Sequence, residues 1–211
     1  NPHLGVNAAD AAMLTFAGLN ALRQHVRSDC RIHGIIKNGG DAPNIVPDYA
    51  EVEMLARAKD QAYLLQLVER LHNCARGGAL AAGATVAIEQ GLVFAEQLTL
   101  SSYREIAKAN LAALGLPVPA TVKQSFASAD SGNVSYAMPH LTFGLPLDDK
   151  GSSPHTPAFV AAANSDTGRQ ALNTAAKIMA TTVIDLLTDP AKLAAIKAEH
   201  QTVLAAATAG A

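Results

Sequence analysis

The stretch RIHGIIKNGGDAPNIVPDYAEVEMLAR, residues 31–57, holds two apolar segments on either side of a polar one. Residues 31–37 and 51–56 alternate between apolar and other side chains, a period of two that predicts two β-strands. Their apolar faces consist of Ile32, Gly34 and Ile36 on the first strand and of Val52, Met54 and Ala56 on the second. A hairpin needs only two turn residues, so the long polar connection predicts a loop that has a function beyond reversing the chain.

Helices are predicted on both sides of this hairpin. Asn7, followed by an acid in the next turn, is typical of a helix N-cap. Apolar residues then recur every three or four positions, namely Ala12, Phe16, Leu19, Leu22 and Val26. Asp60 is predicted to cap a second helix, which we expect Gly77 and Gly78 to end.

Residues 85–89 alternate again and predict a third strand, with Val86 and Ile88 facing inward. The order over residues 8–90 is then helix, strand, strand, helix, strand. One further strand in front would complete the ferredoxin-like βαββαβ arrangement, in which two helices cover an antiparallel sheet. We therefore expect residues 1–95 to be such a domain, with its first strand lying before Asn1.

The second half, residues 96–211, has the pattern of an α/β segment with few strands. Ser102 and Glu105 have the spacing of a capping box at the start of a helix, and residues 141–145 predict a short buried strand. A long helix after Asp166 is predicted to turn one apolar face inward, formed by Leu172, Ala175, Met179, Val183 and Leu186. Because so few strands cannot close a sheet, we expect this half to belong to a larger domain.

Composition excludes several classes of protein. The 211 residues carry a net charge of −2 and contain no basic run, so nucleic acid is not an expected partner. No stretch approaches the roughly 18 apolar residues of a membrane span. The two cysteines, Cys30 and Cys74, are too few for a disulfide scaffold and fit a reducing cytoplasm.

Motifs of a self-contained enzyme are missing from the sequence. It contains no GxGxxG, GxSxG or HExxH motif, no CxxC pair and no His-x-Asp pair. A complete metal or acid–base site is therefore not expected within these residues.

Asn44 stands between Pro43 and Pro47, which stiffen the backbone around it. An amide held in this way can bind a carboxylate, a carbonyl or an oxyanion. The alternative is that Asn44 caps the backbone of its own loop. Arg57, at the end of the second strand, either grips a substrate carboxylate with its planar fork or pairs with a neighbouring acid on the sheet surface.

Two further polar loops lie in the second half. SADSGNVS, residues 128–135, is built from small residues that let backbone N–H groups approach a ligand; otherwise it is an ordinary turn before a helix. PHTP, residues 154–157, places His155 between two prolines. His155 is either a ligand that needs partners or an exposed loop histidine.

Four stretches taken together resemble one family: GVNAADA at 5–11, the segment 31–57, SADSGNVS at 128–135 and PHTPAF at 154–159. They resemble the M20 metallopeptidases, and more narrowly the amidohydrolase branch with the aminobenzoyl-glutamate hydrolase-like and peptidase M20 domain-containing protein 2-like enzymes. That family has an α/β catalytic domain split by a ferredoxin-like lid, which also forms the dimer. The resemblance implies that residues 1–95 are the lid and residues 96–211 the C-terminal segment of the catalytic domain.

The resemblance also implies roles for individual residues. His155 matches a late metal-ligand histidine of the family, for zinc or alternatively for manganese or cobalt. Asn44 and Arg57 match lid residues that contact the substrate. The residues that match a loop lining the substrate cleft are Ser128, Asp130, Gly132 and Asn133. No catalytic residue is expected in this chain, because the family's His-x-Asp motif, its glutamate base and its other metal ligands would lie before Asn1.

The implied reaction is metal-dependent hydrolysis of the amide bond in a small N-acyl amino acid or dipeptide. The implied enzyme is a cytoplasmic homodimer, paired through the lid, that includes an N-terminal catalytic portion; the 211 residues alone are expected to be inactive. One alternative is a non-catalytic dimerisation or small-ligand-binding module, and another is a purely structural fragment with exposed apolar surface. A dimerisation module needs neither SADSGNVS nor PHTP, so their presence favours the enzyme.

Overall fold

A computed structural model describes residues 1–116, 118, 128–148 and 150–209. The chain divides into two compact units, residues 1–96 and 97–209, which we describe in turn. Helices in both units and an antiparallel sheet in the first confirm the predicted α/β class.

The first unit consists of helix α1 (Ala8–Leu22), strands β1 (Arg31–Asn38) and β2 (Glu51–Arg57), and helix α2 (Gln61–Ala82). The predicted helix N-caps are confirmed. Asn7 Oδ1 accepts hydrogen bonds from the N–H groups of Ala9 and Asp10, at 2.9 and 3.2 Å, and Asp60 Oδ1 accepts one from Tyr63 at 2.9 Å. Each cap satisfies N–H groups that the first turn of a helix leaves without an intrahelical partner.

The two strands pair antiparallel, and their register places the two predicted apolar faces on the same side of the sheet. Ile32 lies opposite Ala56, and Gly34 lies opposite Met54. This face packs under the helices, and the buried core consists of Leu19, Cys30, Ile32, Leu67 and Leu71. Burying these side chains is the main favourable term that holds the unit together.

Gly77 and Gly78 do not end the second helix as predicted; α2 continues to Ala82, and Gly83 ends it in the left-handed conformation with φ 73°. The reason is that Gly78 packs closely against α1. A Cβ atom added there would lie 2.7 Å from the carbonyl oxygen of Ala11 and 2.6 Å from Oγ1 of Thr15, both on α1. The absent side chain therefore allows the backbones of α1 and α2 to touch.

The third predicted strand, residues 85–89, is not formed, and Val86 and Ile88 are exposed rather than inward. A strand needs a neighbour that supplies hydrogen bonds, and the sheet within the described residues consists of β1 and β2 alone. Nearby, Glu96 Oε2 accepts a hydrogen bond from the N–H of Gln61, at 2.8 Å.

The second unit is helical in its described part. Its helices are α3 (Ser101–Ala113), α4 (Ser131–Ala137), α5 (Pro157–Ala163), α6 (Asp166–Thr188) and α7 (Pro190–Thr208). The predicted strand at residues 141–145 is absent, although the half-buried Leu141, Phe143 and Leu145 alternate with exposed residues as a strand would require. No helix in the described ranges has both the length and the apolar character that crossing a bilayer requires.

The capping box predicted at the start of α3 is wrong, because the cap comes from another helix. The carboxylate of Glu199, on α7, accepts hydrogen bonds from the N–H groups of Ser101 at 2.7 Å and Ser102 at 2.9 Å, and from the Ser102 hydroxyl. Burial raises the pKa of Glu199, but these hydrogen bonds outweigh it, so the pKa is lowered overall. A charged group from α7 thus neutralises the N-terminus of α3.

The face of α6 that was predicted to lie inward is largely exposed. Leu172 is 70% exposed, Met179 57% and Val183 52%, whereas Ile178 and Thr182 are buried. The helix carries apolar residues on two faces, and periodicity alone does not say which one a neighbour covers. In this structure α3, α5 and α7 are its neighbours.

Replacing Gly78 by alanine should destabilise the first unit. We expect the free energy of unfolding to fall by about 1–2 kcal/mol, because the overpacking cost against a backbone that cannot move aside, about 2–3 kcal/mol, exceeds a gain in helix propensity of about 1 kcal/mol. Gly77→Ala is the matched control, since an added Cβ there meets nothing within 4 Å. Urea unfolding of both variants measures the difference; equal stabilities would show that α1 and α2 do not touch at Gly78.

Candidate functional site

The loop between the strands is fixed at several points. Pro47 accepts a hydrogen bond from the N–H of Ala8 at 2.9 Å, and Asn38 Oδ1 accepts one from Gly40 at 2.9 Å. Gly40 has φ 112°, a conformation open to glycine, and a Cβ there would lie 2.6 Å from Pro47. The loop is therefore anchored at the N-terminus of α1 rather than extending freely.

Asn44 sits in a turn of this loop with its side chain exposed. Within the part of the chain that the structure describes, the Asn44 amide accepts and donates no hydrogen bond, so it does not cap its own loop. The amide is presented to solvent on an anchored backbone, with two donors and an acceptor available for a ligand.

Ionisable side chains meet at the base of the loop. The Glu51 carboxylate accepts a hydrogen bond from the Tyr49 hydroxyl at 3.1 Å and lies 3.4 Å from the Lys37 ammonium group. The hydrogen bonds to Glu51, with its negative charge, raise the pKa of both Lys37 and Tyr49. All three groups are exposed, so they give the loop base a polar surface and contribute little to stability.

Arg57 lies at the opposite end of the hairpin from Asn44. It is the last residue of β2 and faces Arg31 in the register, whereas the Asn44 loop leaves the sheet at Asn38 and Glu51. Six residues of strand at about 3.4 Å each separate the two ends by roughly 20 Å. The structure therefore does not bring Asn44 and Arg57 together, although both carry predicted roles in substrate binding.

The segment 128–135 forms the start of α4. Asp130 occupies the N-cap position without a side-chain cap hydrogen bond, and Ser128, Asp130 and Asn133 are exposed. Gly132 is buried, and its carbonyl accepts a hydrogen bond from the Ser135 hydroxyl at 2.6 Å. The segment thus has an exposed polar side and a buried side.

The buried side of α4 is held by Ser135, the last residue of the predicted polar loop, and by His200, which the sequence did not single out. Ser135 is fully buried, and its hydroxyl accepts a hydrogen bond from the N–H of Leu98 at 2.9 Å. His200 is also buried, and its Nε2 lies 2.7 Å from the carbonyl oxygen of Ser135. Because a carbonyl can only accept, Nε2 of His200 carries the proton in this contact. Nothing local in the sequence indicates a pairing across 65 residues.

His155 is exposed in the loop before α5 and has φ 63°. This left-handed conformation is costly for a residue with a Cβ, and such residues concentrate at functional sites. The next residue fixes the backbone, because Thr156 Oγ1 donates to the carbonyl of Ser153 at 2.8 Å and accepts from the N–H of Phe159 at 3.2 Å. The imidazole therefore sits on a restrained turn.

Asp148 organises the chain that leads to His155. Its Oδ1 accepts hydrogen bonds from the N–H groups of Lys150, Gly151 and Ser152, at 3.1, 2.7 and 3.2 Å. The Ser152 hydroxyl and these N–H groups hold the pKa of Asp148 below its usual range. An Asp a few residues before a Gly-Ser turn is the sequence signal that could have identified this role.

The described residues do not form a complete binding site for a divalent metal. His155 is the predicted ligand, but the described ranges contain no group of three or more His, Cys, Asp or Glu side chains placed to hold one ion. A structural zinc ion takes about four ligands and a catalytic one about three from the protein. The described residues therefore do not fit a metal by themselves.

Comparison with known proteins shows that the chain is similar to a peptidase domain and to hydrolases. Residues 1–81 match the peptidase dimerisation domain of the M20 type. The chain is 35% identical to the mouse (Mus musculus) Xaa-Arg dipeptidase and 32% identical to the human (Homo sapiens) one, over 207 residues in each case. These alignments cover 95% of this chain and 47% of each dipeptidase.

The name of a bacterial relative indicates a different substrate from that of the two dipeptidases. The chain is 29% identical to one of the subunits of the p-aminobenzoyl-glutamate hydrolase of Escherichia coli (strain K12) over 259 residues, which covers 96% of this chain and 54% of that relative. The chain thus spans about half the length of the relatives that it matches, and the matched part includes both compact units.

Removing the Asp148 carboxylate should loosen the loop before His155. In Asp148→Ala we expect faster hydrogen exchange at the N–H groups of Lys150, Gly151 and Ser152, because their acceptor is gone. The native loop should loosen in the same way at low pH. Since the pKa is lowered in the folded chain, the stabilisation is complete above the ordinary carboxyl pKa of about 3.9 and disappears as the pH falls through the lowered value.

The control is Asp41→Ala, which removes an exposed loop carboxylate from the first unit. It should leave the exchange at residues 150–152 and its acid dependence unchanged. If Asp148→Ala keeps the native exchange rates, the contacts to Asp148 do not order this loop.

Proposed function

We propose that this chain belongs, through residues 1–81, to the M20 peptidase dimerisation-domain family. On that premise it forms part of a metal-dependent enzyme that hydrolyses an amide bond. The substrate class is a small N-acyl amino acid or a dipeptide. In this proposal the first unit is the lid and dimerisation domain, and the second unit is the C-terminal segment of the catalytic domain.

The observation that carries this proposal is the similarity along both units. Relatives named as a dipeptidase and as an aminobenzoyl-glutamate hydrolase match 95% and 96% of the chain. Each name denotes the cleavage of an amide bond in a small molecule. A dimerisation domain used alone would explain a match to residues 1–81 but not to the second unit.

The exposed apolar face of α6 supports a role within a larger folded body. Its exposed residues are Leu172, Met179, Val183, Ile184 and Leu187. On the same side, Phe143, Leu145 and Leu172 line an open apolar groove of about 360 Å³. Apolar surface of this extent on a unit marks a place where another part of the protein binds. In the proposed enzyme, the remainder of the catalytic domain covers it.

The residues of this chain bind and position the substrate in this proposal. The Asn44 amide donates to the scissile carbonyl oxygen, and its anchored loop keeps that donor in place. Arg57 binds a carboxylate with its fork of N–H donors, but on a different substrate molecule from the one that Asn44 contacts, because a dipeptide does not span the roughly 20 Å between the two ends of the hairpin. The exposed Ser128, Asp130 and Asn133 line the cleft, with the buried Gly132 behind them, and His155 provides one ligand to the metal.

The metal would supply the polarised water or carbonyl of such a hydrolysis. Because the described residues hold no complete set of ligands, we assign no step to it and expect the other ligands to come from outside this chain. Zinc suits a histidine ligand, as do manganese and cobalt. We propose a homodimer formed through the first unit, and a cytoplasmic location consistent with two free cysteines.

The test is the intact mass of the native purified complex together with its metal content. If a second polypeptide of about 150–200 residues, the size of one domain, co-purifies with about two metal ions per pair, the enzyme proposal is supported. His155→Gly should then lose metal without losing stability, because glycine adopts φ 63° freely. His140→Ala, another loop histidine of the second unit, should keep its metal.

A lone chain without metal that forms dimers would overturn the catalytic proposal for this molecule. It would support the dimerisation or ligand-binding module instead. If His155→Gly and His140→Ala lose the same amount of metal, the role given to His155 fails while the enzyme proposal stands.

Asn44 and Arg57 should act independently in the complete enzyme. We expect Asn44→Ala and Arg57→Ala each to lower kcat/KM by about tenfold or more, the effect of losing one hydrogen bond in the site. Because the two residues lie at opposite ends of the hairpin, the double variant should show the sum of the two free-energy changes to within about 0.5 kcal/mol.

Steady-state kinetics on all three variants tests this, with Ile45→Ala as the control for an exposed neighbour in the same loop. A strongly non-additive double variant would mean that Asn44 and Arg57 meet at one substrate group, against the register of the strands.

A further inference from the structure

A small pocket in the first unit is lined by three arginines. It lies between the end of α1 and the start of β1, has a volume of about 280 Å³, and is bordered by Arg23, Arg27 and Arg31 with Ser28 between them. We call it the arginine pocket. This volume is enough for a small ion with part of its hydration shell.

Two of these guanidinium groups are held in place by backbone carbonyls. Arg23 donates from Nη2 to the carbonyl of Ile32 at 2.9 Å and from Nη1 to Asn20 Oδ1 at 2.9 Å. Arg31 donates from Nη1 to the carbonyls of Ser28 at 2.9 Å and Cys30 at 2.6 Å. Each guanidinium has five N–H donors, so both keep donors for a ligand while their positions are fixed.

The charge of the pocket is not balanced. Arg27 pairs with Asp60, with Nη1 2.7 Å from Oδ2, and its guanidinium lies 4.0 Å above the centre of the Tyr63 ring. Among the described residues, Arg23 and Arg31 make no ion pair with a carboxylate. The three arginines are exposed side chains that border one pocket, so about two charges without a carboxylate partner lie around it, and an anion there would reduce their mutual repulsion.

We propose that the arginine pocket binds a doubly charged oxyanion, with the phosphate group as its ligand class. A phosphate carries about −1.5 to −2 charges near pH 7 and several acceptor oxygens, which match the two unpaired guanidinium groups in charge and in donor number. This site lies at the Arg57 end of the hairpin, away from the Asn44 loop, and is independent of the amide hydrolysis proposed above.

Titration of the full 211-residue chain with inorganic phosphate, followed by calorimetry, tests the proposal. We expect saturable binding that a chloride solution of equal ionic strength does not reproduce. Arg23→Gln and Arg31→Gln should each weaken the binding about tenfold or more, the loss expected for a charge-assisted hydrogen bond. Arg31→Lys keeps the charge without the planar fork and should bind with intermediate affinity.

Arg76→Gln is the matched control, since it removes the same charge from an exposed arginine on α2 that pairs with Glu69 outside the pocket. It should bind phosphate as the native chain does. An equal loss in Arg76→Gln, or an equal response to chloride, would reduce the site to three solvated arginines and overturn the proposal. Tighter binding of succinate than of phosphate would replace the ligand class by a dicarboxylate. Circular dichroism of each variant confirms that lost binding does not reflect unfolding.

Discussion

The antiparallel ladder between β1 and β2 is the constraint on which the first unit depends. Its register turns Ile32, Gly34 and Met54 toward the helices. It also places the loop with Asn44 and the end of β2 with Arg57 at opposite ends of the sheet. A slip by one residue would reverse both faces. The core, the exposed amide and the arginine pocket therefore all follow from a single pairing of two strands.

Local signals in the sequence predicted much of this unit, and nonlocal contacts account for the errors. The N-caps Asn7 and Asp60, the helices that start after them and the hairpin are fixed by neighbouring residues, and these features appear as predicted apart from the end of α2. The strands at residues 85–89 and 141–145 needed a pairing partner, which periodicity cannot supply. Gly78 looked like the end of a helix because its actual contact, with α1, lies more than 60 residues away in the chain. The α3 cap failed for the same reason, since Glu199 provides it.

The candidate site also combines features that the sequence predicts with features that only nonlocal contacts determine. Residue chemistry alone left the roles of Asn44, Arg57 and His155 undecided, and the resemblance to a family implied a role for each of them. The structure adds what neither provides: an anchored loop beneath an exposed amide, a left-handed backbone at His155, and a separation of about 20 Å between the two ends of the hairpin at which Asn44 and Arg57 lie. Arg23, Arg27 and Arg31 recur at every fourth position, a visible pattern, but they meet only because the chain turns between α1 and β1.

The distance between the ends of the hairpin has an evolutionary consequence. Loops change faster than the elements that carry them, and residues far apart seldom constrain one another's substitutions. A lineage can therefore change the segment around Asn44 while the arginines at the far end stay under separate selection. Relatives with different substrates in their names would be expected to diverge first in this loop, with the ladder beneath it preserved as a common frame.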